Sequence, residues 1–262
     1  MNSARGSDPD SIFAAATALI AAAQSLRALG LGVGAAGNLS RRIARNGRAG
    51  FLITPSGTGY AALTPEDIPW LDMSGRHEGR RPPSSEWQMH RDIYASRPEA
   101  GAVLHAHSPF AVSLACLRRD IPPFHYMIAR FGGDSVRVAD YALFGTPELA
   151  RSALAALAGR SACLLANHGM LLYADTLAEA MNQGEELEAL CAHYCRALQV
   201  GAPVLLAPEE MATARERFKT YQREAHVSTK KTRHGSMKPA RLKTTAAAKQ
   251  EETRQQADAC PN

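Results

Sequence analysis

Short apolar strands alternate with amphipathic helices between residues 11 and 222, and this alternation restricts the possible folds more than any other feature. Helical patterns cover 11–29, 82–98, 144–160 and 175–198, strand patterns cover 101–107 and 162–174, and Asn46-Gly47 predicts a hairpin turn. No repeat or linker divides this stretch. The sequence therefore predicts one α/β domain over residues 1–226, and the alternation taken alone favours a parallel sheet.

Residues 227–262 form a basic C-terminal tail with almost no large apolar side chains. The tail holds eight Lys/Arg and three Asp/Glu, which accounts for the whole formal charge of +5. Such a segment buries too little surface to offset the entropy of ordering, so we expect it to be disordered. Weak contact with polyanions is one interpretation, but a solvated extension is favoured, and we do not expect a nucleic-acid partner.

The cysteines and the N-terminus predict a cytoplasmic protein. Five cysteines without a CxxC pair are typical of a reducing compartment. The apolar run that begins at Ser11 follows Asp8 and Asp10, where a signal peptide would carry positive charges. No apolar run reaches the length of a membrane span, so no membrane partner is expected.

Three histidines are possible metal ligands. His105 and His107 end the strand "GAVLHAH", where residues two apart face the same side and their imidazoles can meet at one ion. His168 follows a buried strand in "LLANHGM", at a turn that Gly169 allows. From these residues alone, the His105–His107 pair is more typical of surface or core histidines than of ligands, and His168 is equally compatible with a turn histidine that satisfies local backbone groups.

The segment "PPSSEW" opens a helix and combines a carboxylate with hydroxyl groups. Glu86 suits a general base, or simply an acid that favours the helix dipole. Ser84 and Ser85 suit a phosphate at a helix start, or simply helix caps. Two glycine turns, "AAGNLS" and "TPSGTG", offer further anion donors through Gly37, Asn38, Ser56 and Gly57.

In this order, the motifs resemble the class II aldolase/adducin family. They are "GN.S" at 37–40, "TPSG" at 54–57, "SSEW" at 84–87, "HAH" at 105–107, "HYMIARFGG" at 125–133, "FGT" at 144–146 and "NHG" at 167–169. The similarity is greatest to members that cleave L-fuculose 1-phosphate, and it runs from about residue 12 to 221. The resemblance implies a three-layer α/β fold with a mostly antiparallel central sheet and helices on both faces, which replaces the parallel sheet expected above.

The resemblance also implies roles for individual residues. His105, His107 and His168 would hold one Zn²⁺ per subunit, and Glu86 and Tyr126 would be catalytic, with Tyr126 reaching the site of a neighbouring subunit in a homotetramer. Phosphate ligands would be Gly37, Asn38, Ser56, Gly57, Ser84 and Ser85, and the aldehyde side would be formed by Phe144, Phe218 and Tyr221. Arg130 and Phe131 depart from the small residues of related enzymes, and we expect them to reshape the aldehyde pocket.

The implied function is an enzyme of carbohydrate metabolism, a metal-dependent aldehyde-lyase. It would cleave L-fuculose 1-phosphate or a similar ketose 1-phosphate to dihydroxyacetone phosphate and an aldehyde such as L-lactaldehyde. Alternatives are cleavage of 5-deoxy- or 5-methylthioribulose 1-phosphate, pentulose-5-phosphate 4-epimerase chemistry, and a non-catalytic adducin-like binding protein. The complete set of histidines, Glu86 and Tyr126 favours an enzyme over the binding protein.

Overall fold

An eight-stranded sheet forms the centre of the protein in a computed structural model, which describes residues 9–32 and 36–220. The strands are β1 Asn38–Arg42, β2 Gly50–Ile53, β3 Trp70–Asp72, β4 His77–Glu78, β5 Ala102–Ala106, β6 Arg137–Ala139, β7 Ala162–Leu165 and β8 Gly169–Ala174. Their spatial order is β4-β3-β2-β1-β5-β8-β7-β6. Only β6 and β7 pair in parallel, and all other neighbours in this sheet are antiparallel.

This topology confirms the mostly antiparallel sheet, and the parallel sheet expected from alternation alone is wrong. Strands β1–β2 and β7–β8 are hairpins, and β5 enters between them antiparallel to both of its neighbours. The first hairpin turns where the sequence predicts it, because Asn46 and Gly47 adopt φ angles of 50° and 75°. Left-handed backbone is the geometry that an Asn-Gly turn supplies.

Five α-helices, besides a helical segment at 208–220 in the described residues, cover the two faces of the sheet and complete three layers. They are α1 Pro9–Ser25, α2 Trp87–Ser96, α3 Pro109–Ala115, α4 Pro147–Ala156 and α5 Leu177–Val200. One buried cluster joins α1, α3 and α5 to side chains such as Leu39 and Leu104, and a second joins α2 and α4 to Phe51 and Val103. The side chains of alternate strand residues therefore pack into the two cores on opposite faces of the sheet. The predicted three-layer α/β fold is confirmed.

The pairing register places the end of β5 beside the turn between β7 and β8. Ala106 at the end of β5 pairs with Met170 near the start of β8, so the chain beyond Ala106 lies next to the residues that precede Gly169. Strand β1 lies on the other side of β5, with Asn38 opposite His105. Three segments that are distant in sequence therefore meet at one end of the central strands.

The described part of residues 9–219 belongs to one compact unit. Within the described residues, no helix has the length and apolar character needed to cross a membrane. The predicted tail at 227–262 and Tyr221 lie outside the described residues, so the proposed domain boundary stays a prediction.

Candidate metal and catalytic site

The three histidines predicted as ligands converge at this end of the central strands. One ligand nitrogen from each of His105, His107 and His168 lies within 4.8 Å of the others, and Nε2 of His105 is 3.0 Å from Nε2 of His107. His105 lies on β5 and His107 directly follows the end of this strand, while His168 lies in the turn between β7 and β8.

The hydrogen bond made by Nδ1 of His105 determines where this ring carries its hydrogen. Nδ1 lies 2.9 Å from the carbonyl oxygen of Met170, and a carbonyl only accepts, so Nδ1 carries the hydrogen. Nε2 is the ring nitrogen that points toward the other two imidazoles. An imidazole held in this way by a backbone carbonyl is typical of a metal ligand.

The other two imidazoles are kept neutral by their surroundings. Burial, together with the charge of His105, lowers the pKa of both His107 and His168 to about 4. Neutral imidazoles retain the lone pair that a metal requires, and three of them leave a fourth position open on a tetrahedral ion.

Glu86 faces the same point from the start of α2. Its Oε2 is 3.3 Å from Nε2 of His105, and its Oε1 is 3.4 Å from Nε2 of His168. Burial raises the pKa of this carboxyl, but the hydrogen bond and charge of His105, with smaller contributions from His168 and Asn38, outweigh it and lower the pKa to about 2. Glu86 is therefore a carboxylate at neutral pH.

The residues present fit a divalent cation. Oε1 of Glu86 is buried and has no hydrogen-bond partner among the described residues, which is costly for a carboxylate unless a positive charge lies nearby. The donor set of three imidazole nitrogens is that of a catalytic zinc site with an open position.

The serines of "PPSSEW" do not cap α2, contrary to one of the alternatives above. Glu86 occupies the N-cap position, and the helix begins at Trp87. Oγ of Ser84 instead accepts hydrogen bonds from the Asn38 amide at 3.0 Å and from the Glu86 backbone N–H at 3.3 Å. The segment thus places its hydroxyls beside the carboxylate.

A cleft of about 340 Å³ opens over the histidines. All six predicted phosphate ligands line it: Gly37, Asn38, Ser56, Gly57, Ser84 and Ser85. Two of the three imidazoles, those of His107 and His168, also line it, together with Glu86. Phe144 also lines it, with Tyr141 and Ala142. The cleft therefore offers polar donors from its serine, asparagine and glycine residues and apolar surface from its aromatic side chains.

Other predicted residues lie elsewhere in the described chain. Tyr126 and Phe218 do not line this cleft, but their rings stack on each other with centroids 6.2 Å apart. Tyr126 is 54% exposed, which leaves it accessible to another molecule. Tyr221 is not described.

Arg130 and Phe131 do not line the cleft either, so the expectation that they reshape an aldehyde pocket has no support within this subunit. Phe131 is buried in the core, and Arg130 forms ion pairs with Glu179 at 2.8 Å and Glu186 at 2.5 Å.

Sequence reasoning missed several residues of the site. The cleft is also lined by Pro55, Tyr141 and Asn167. His90 does not line it but is hydrogen-bonded to Asn38, which does. His90 had a detectable signal, because it follows Glu86 by four residues and so shares its helix face.

Comparison with known protein families decides what kind of protein carries this site. Residues 17–195 match the model of the class II aldolase and adducin N-terminal domain. The chain belongs to the class II aldolase and adducin family. The resemblance inferred from the short motifs is thereby confirmed.

Relatives within this family are named aldolases. The chain is 49% identical over 219 residues to a 5-methylthioribulose-1-phosphate/5-deoxyribulose-1-phosphate aldolase of Rhodospirillum rubrum, which covers 84% of this chain and 97% of that protein. It is 43% identical over 194 residues to the L-fuculose phosphate aldolase of Escherichia coli, covering 74% and 88%. A solved L-fuculose 1-phosphate aldolase structure is 42% identical and superposes with a TM-score of 0.76, covering 83% of this chain and 100% of that one. We therefore assign the chain to the class II, metal-dependent aldehyde-lyases.

Proposed function

We propose that the protein cleaves a ketose 1-phosphate reversibly to dihydroxyacetone phosphate and an aldehyde, with Zn²⁺ bound by His105, His107 and His168. The observation that carries the proposal is the convergence of three imidazoles and the Glu86 carboxylate within a cleft lined by serine and glycine. The bound ion would supply a Lewis acid for the negative charge that develops as the carbon–carbon bond breaks.

The serine and glycine residues of the cleft would bind the phosphate. Gly37 and Gly57 have positive φ angles of 89° and 61°, a backbone conformation that other residues rarely adopt. The hydroxyls of Ser56 and Ser85 have no hydrogen-bond partner in the described part of the chain and are available as donors. Binding the phosphate there would fix the reacting carbon beside Glu86.

Glu86 would move the proton. Its carboxylate is ionised and buried, and Oε1 carries no hydrogen bond among described residues, so it can accept a proton from C–H or return one to carbon. Tyr126 would handle the second proton: during cleavage it would take up the proton of the hydroxyl group that becomes the aldehyde carbonyl, and during condensation it would return that proton to the aldehyde oxygen. Because Tyr126 does not reach the cleft of its own subunit, this role requires a neighbouring subunit, and we propose a homotetramer with shared sites.

The aromatic side of the cleft bears on the choice of substrate. Tyr141 and Phe144 are 56% and 63% exposed and offer apolar surface to the aldehyde portion. Acetaldehyde and methylthioacetaldehyde, the products from 5-deoxy- and 5-methylthioribulose 1-phosphate, lack the hydroxyl of L-lactaldehyde and suit such a surface better. The relative at 49% identity is named for these two substrates. We therefore propose them as preferred.

L-Fuculose 1-phosphate is the second candidate substrate. The relatives that are named for it match at 43% identity, and the solved structure at a TM-score of 0.76 supports the same cleft architecture. A cytoplasmic location also belongs to the proposal, and it is supported by four cysteines that are free in the described chain.

The test is to offer zinc-loaded protein each of the three ketose 1-phosphates and to measure free dihydroxyacetone phosphate. We expect release from all three, with the highest kcat/KM for the 5-deoxy or 5-methylthio compound. The variant Phe144→Ser should raise KM for the methylthio compound more than for L-fuculose 1-phosphate. Conversion of a pentulose 5-phosphate to its epimer without free dihydroxyacetone phosphate would instead establish the epimerase alternative.

A further inference from the structure

A fully buried histidine lies behind Glu86 on the same face of α2. Nε2 of His90 is 2.5 Å from Oδ1 of Asn38, and Nδ1 is 2.6 Å from Oγ of Ser40. Oγ of Ser40 is in turn 2.8 Å from the hydroxyl of Tyr94. The amide nitrogen of Asn38 then donates to Oε2 of Glu86 at 2.9 Å. A hydrogen-bonded chain thus joins Tyr94 to the proposed catalytic carboxylate.

The orientation of the Asn38 amide sets the direction of this chain. A carboxylate oxygen can only accept, so the group of Asn38 that faces Glu86 has to be NH₂. The same NH₂ group donates to Oγ of Ser84 at 3.0 Å. Oδ1 of Asn38 must then face His90, and an amide oxygen requires a donor there. Nε2 of His90 is that donor.

The remaining bonds follow from the tautomer of His90. Burial lowers the pKa of His90 to about 3, so the ring is neutral and carries one hydrogen. With that hydrogen on Nε2, Nδ1 accepts from the hydroxyl of Ser40, and Oγ of Ser40 accepts from Tyr94. Every member then has a donor or acceptor in the correct place, which is what a buried polar network requires.

We propose that His90 is a positioning residue, which as the Nε2–H tautomer holds the Asn38 amide with its NH₂ group toward Glu86 and Ser84. Without the donor at His90, the buried Oδ1 of Asn38 loses its hydrogen-bond partner, and this cost opposes the orientation that Glu86 and Ser84 favour. The flipped amide would place its carbonyl oxygen against the Glu86 carboxylate, which is repulsive and would move the carboxylate away from the imidazoles.

The direct test is ¹⁵N NMR of the histidine side chains in the intact, zinc-loaded protein, with His90 assigned from the spectrum of His90→Gln. We expect a protonated Nε2 and an unprotonated Nδ1. A hydrogen on Nδ1, or on both nitrogens, would overturn the proposal. This readout does not depend on any substrate.

The functional test, which rests on the proposed function, is exchange of the dihydroxyacetone phosphate proton with solvent. His90→Leu removes the donor and should slow exchange about 10- to 100-fold. His90→Gln keeps an N–H near the position of Nε2 and should restore most of the rate. Zinc content should be unchanged in both, because neither variant alters a ligand. Full activity of His90→Leu, or equal impairment of both variants, would contradict the proposal.

A matched control separates positioning from general destabilisation of α2. Ile93→Val shortens a buried side chain on the same helix without touching the hydrogen-bonded chain, so exchange should stay at the wild-type rate. A comparable loss in Ile93→Val would show that the effect of His90→Leu is structural only.

A double-mutant comparison asks whether His90 acts through Asn38. In an Asn38→Ala background the amide is absent, so adding His90→Leu should change the exchange rate by less than about twofold. An undiminished effect of His90→Leu in that background would refute action through Asn38. If the wild-type protein exchanges no proton at all, the proposed function fails, and the NMR tautomer still decides the inference about His90.

Discussion

Oε2 of Glu86 lies 3.3 Å from Nε2 of His105, although the two residues are 19 positions apart in sequence and belong to different layers. The helix start that carries Glu86 and the strand end that carries His105 meet only because α2 packs on the face of the sheet toward which His105 points. A base next to a proposed metal ligand is the arrangement that proton transfer at a metal-stabilised carbon requires.

Glu86→Gln removes the base and should leave the ligands intact. We expect zinc content to remain at the wild-type level and exchange of the dihydroxyacetone phosphate proton in D₂O to fall by about 10²- to 10⁴-fold. Proton NMR of the phosphate ester measures the exchange, and elemental analysis measures the metal. Unchanged exchange would exclude Glu86 as the base.

Gly37→Ala should destabilise the protein more than an ordinary glycine substitution. Gly37 has a φ of 89°, and a Cβ there would lie 2.6 Å from the carbonyl oxygen of His105. Left-handed backbone costs an alanine about 1–2 kcal/mol, and the steric conflict adds about 1–3 kcal/mol. Urea unfolding measures the loss.

The control for this prediction is Gly47→Ala. Gly47 also has a positive φ, of 75°, but a Cβ there would meet nothing within 4 Å. The variant Gly47→Ala should therefore lose only about 1–2 kcal/mol of unfolding free energy, which is what left-handed backbone costs an alanine. Equal losses at the two positions would show that the close approach of Gly37 to His105 carries no cost.

Much of the fold and part of the site follow from local sequence patterns. The two-residue periodicity of a strand predicts that His105 and His107 face the same side, and Asn46-Gly47 predicts the first hairpin. The resemblance to the family supplied the sheet polarity, whereas alternation alone predicted it incorrectly.

Local sequence patterns do not determine which residues of distant strands pair with each other. His168 joins the other two imidazoles because Ala106 pairs with Met170, a contact across 64 residues that no helix or strand periodicity encodes. Likewise, His90 lies four residues after Glu86, which local periodicity can detect, but its partners Asn38 and Ser40 come from β1. Their contact depends on how α2 docks on the sheet.

Glu188→Gln should loosen the segment that follows His107. The Glu188 carboxylate accepts hydrogen bonds from Oγ of Ser108 at 2.6 Å and from the backbone N–H groups of Phe110 and Ala111 at 2.8 and 2.9 Å. Bonds to a charged acceptor contribute about 1.5–3 kcal/mol, so we expect a loss of that order in the free energy of unfolding. Thermal and urea denaturation measure it.

Glu185→Gln is the matched control for Glu188→Gln, because Glu185 lies on the same helix and is exposed. It should change stability by less than about 0.5 kcal/mol. If the two variants were equally stable, the carboxylate of Glu188 would have no role in holding the start of α3.

The metal-free protein should lose stability between pH 7 and pH 5. The folded-state pKa of His90 is lowered to about 3, whereas an unfolded histidine titrates near 6.5. The unfolded chain therefore binds more protons, so stability is complete above pH 6.5 and falls as the pH drops below it. His90 alone should contribute about 2 kcal/mol to this loss, and His107 and His168 act in the same direction.

The comparison is urea unfolding of wild type and His90→Gln after metal removal, at pH 7 and pH 5. Glutamine does not titrate, so the difference between the two pH values should be about 2 kcal/mol smaller in the variant. The same pH dependence in both proteins would mean that His90 is not held neutral by burial.

The central claim is that three imidazoles bind one divalent ion and that aldol cleavage depends on it. Zinc per subunit and release of dihydroxyacetone phosphate from 5-methylthioribulose 1-phosphate should be measured together for wild type and His107→Ala. The account predicts about one zinc per subunit with turnover in the wild type, and loss of both in the variant. Undiminished release of dihydroxyacetone phosphate by zinc-free His107→Ala would contradict it.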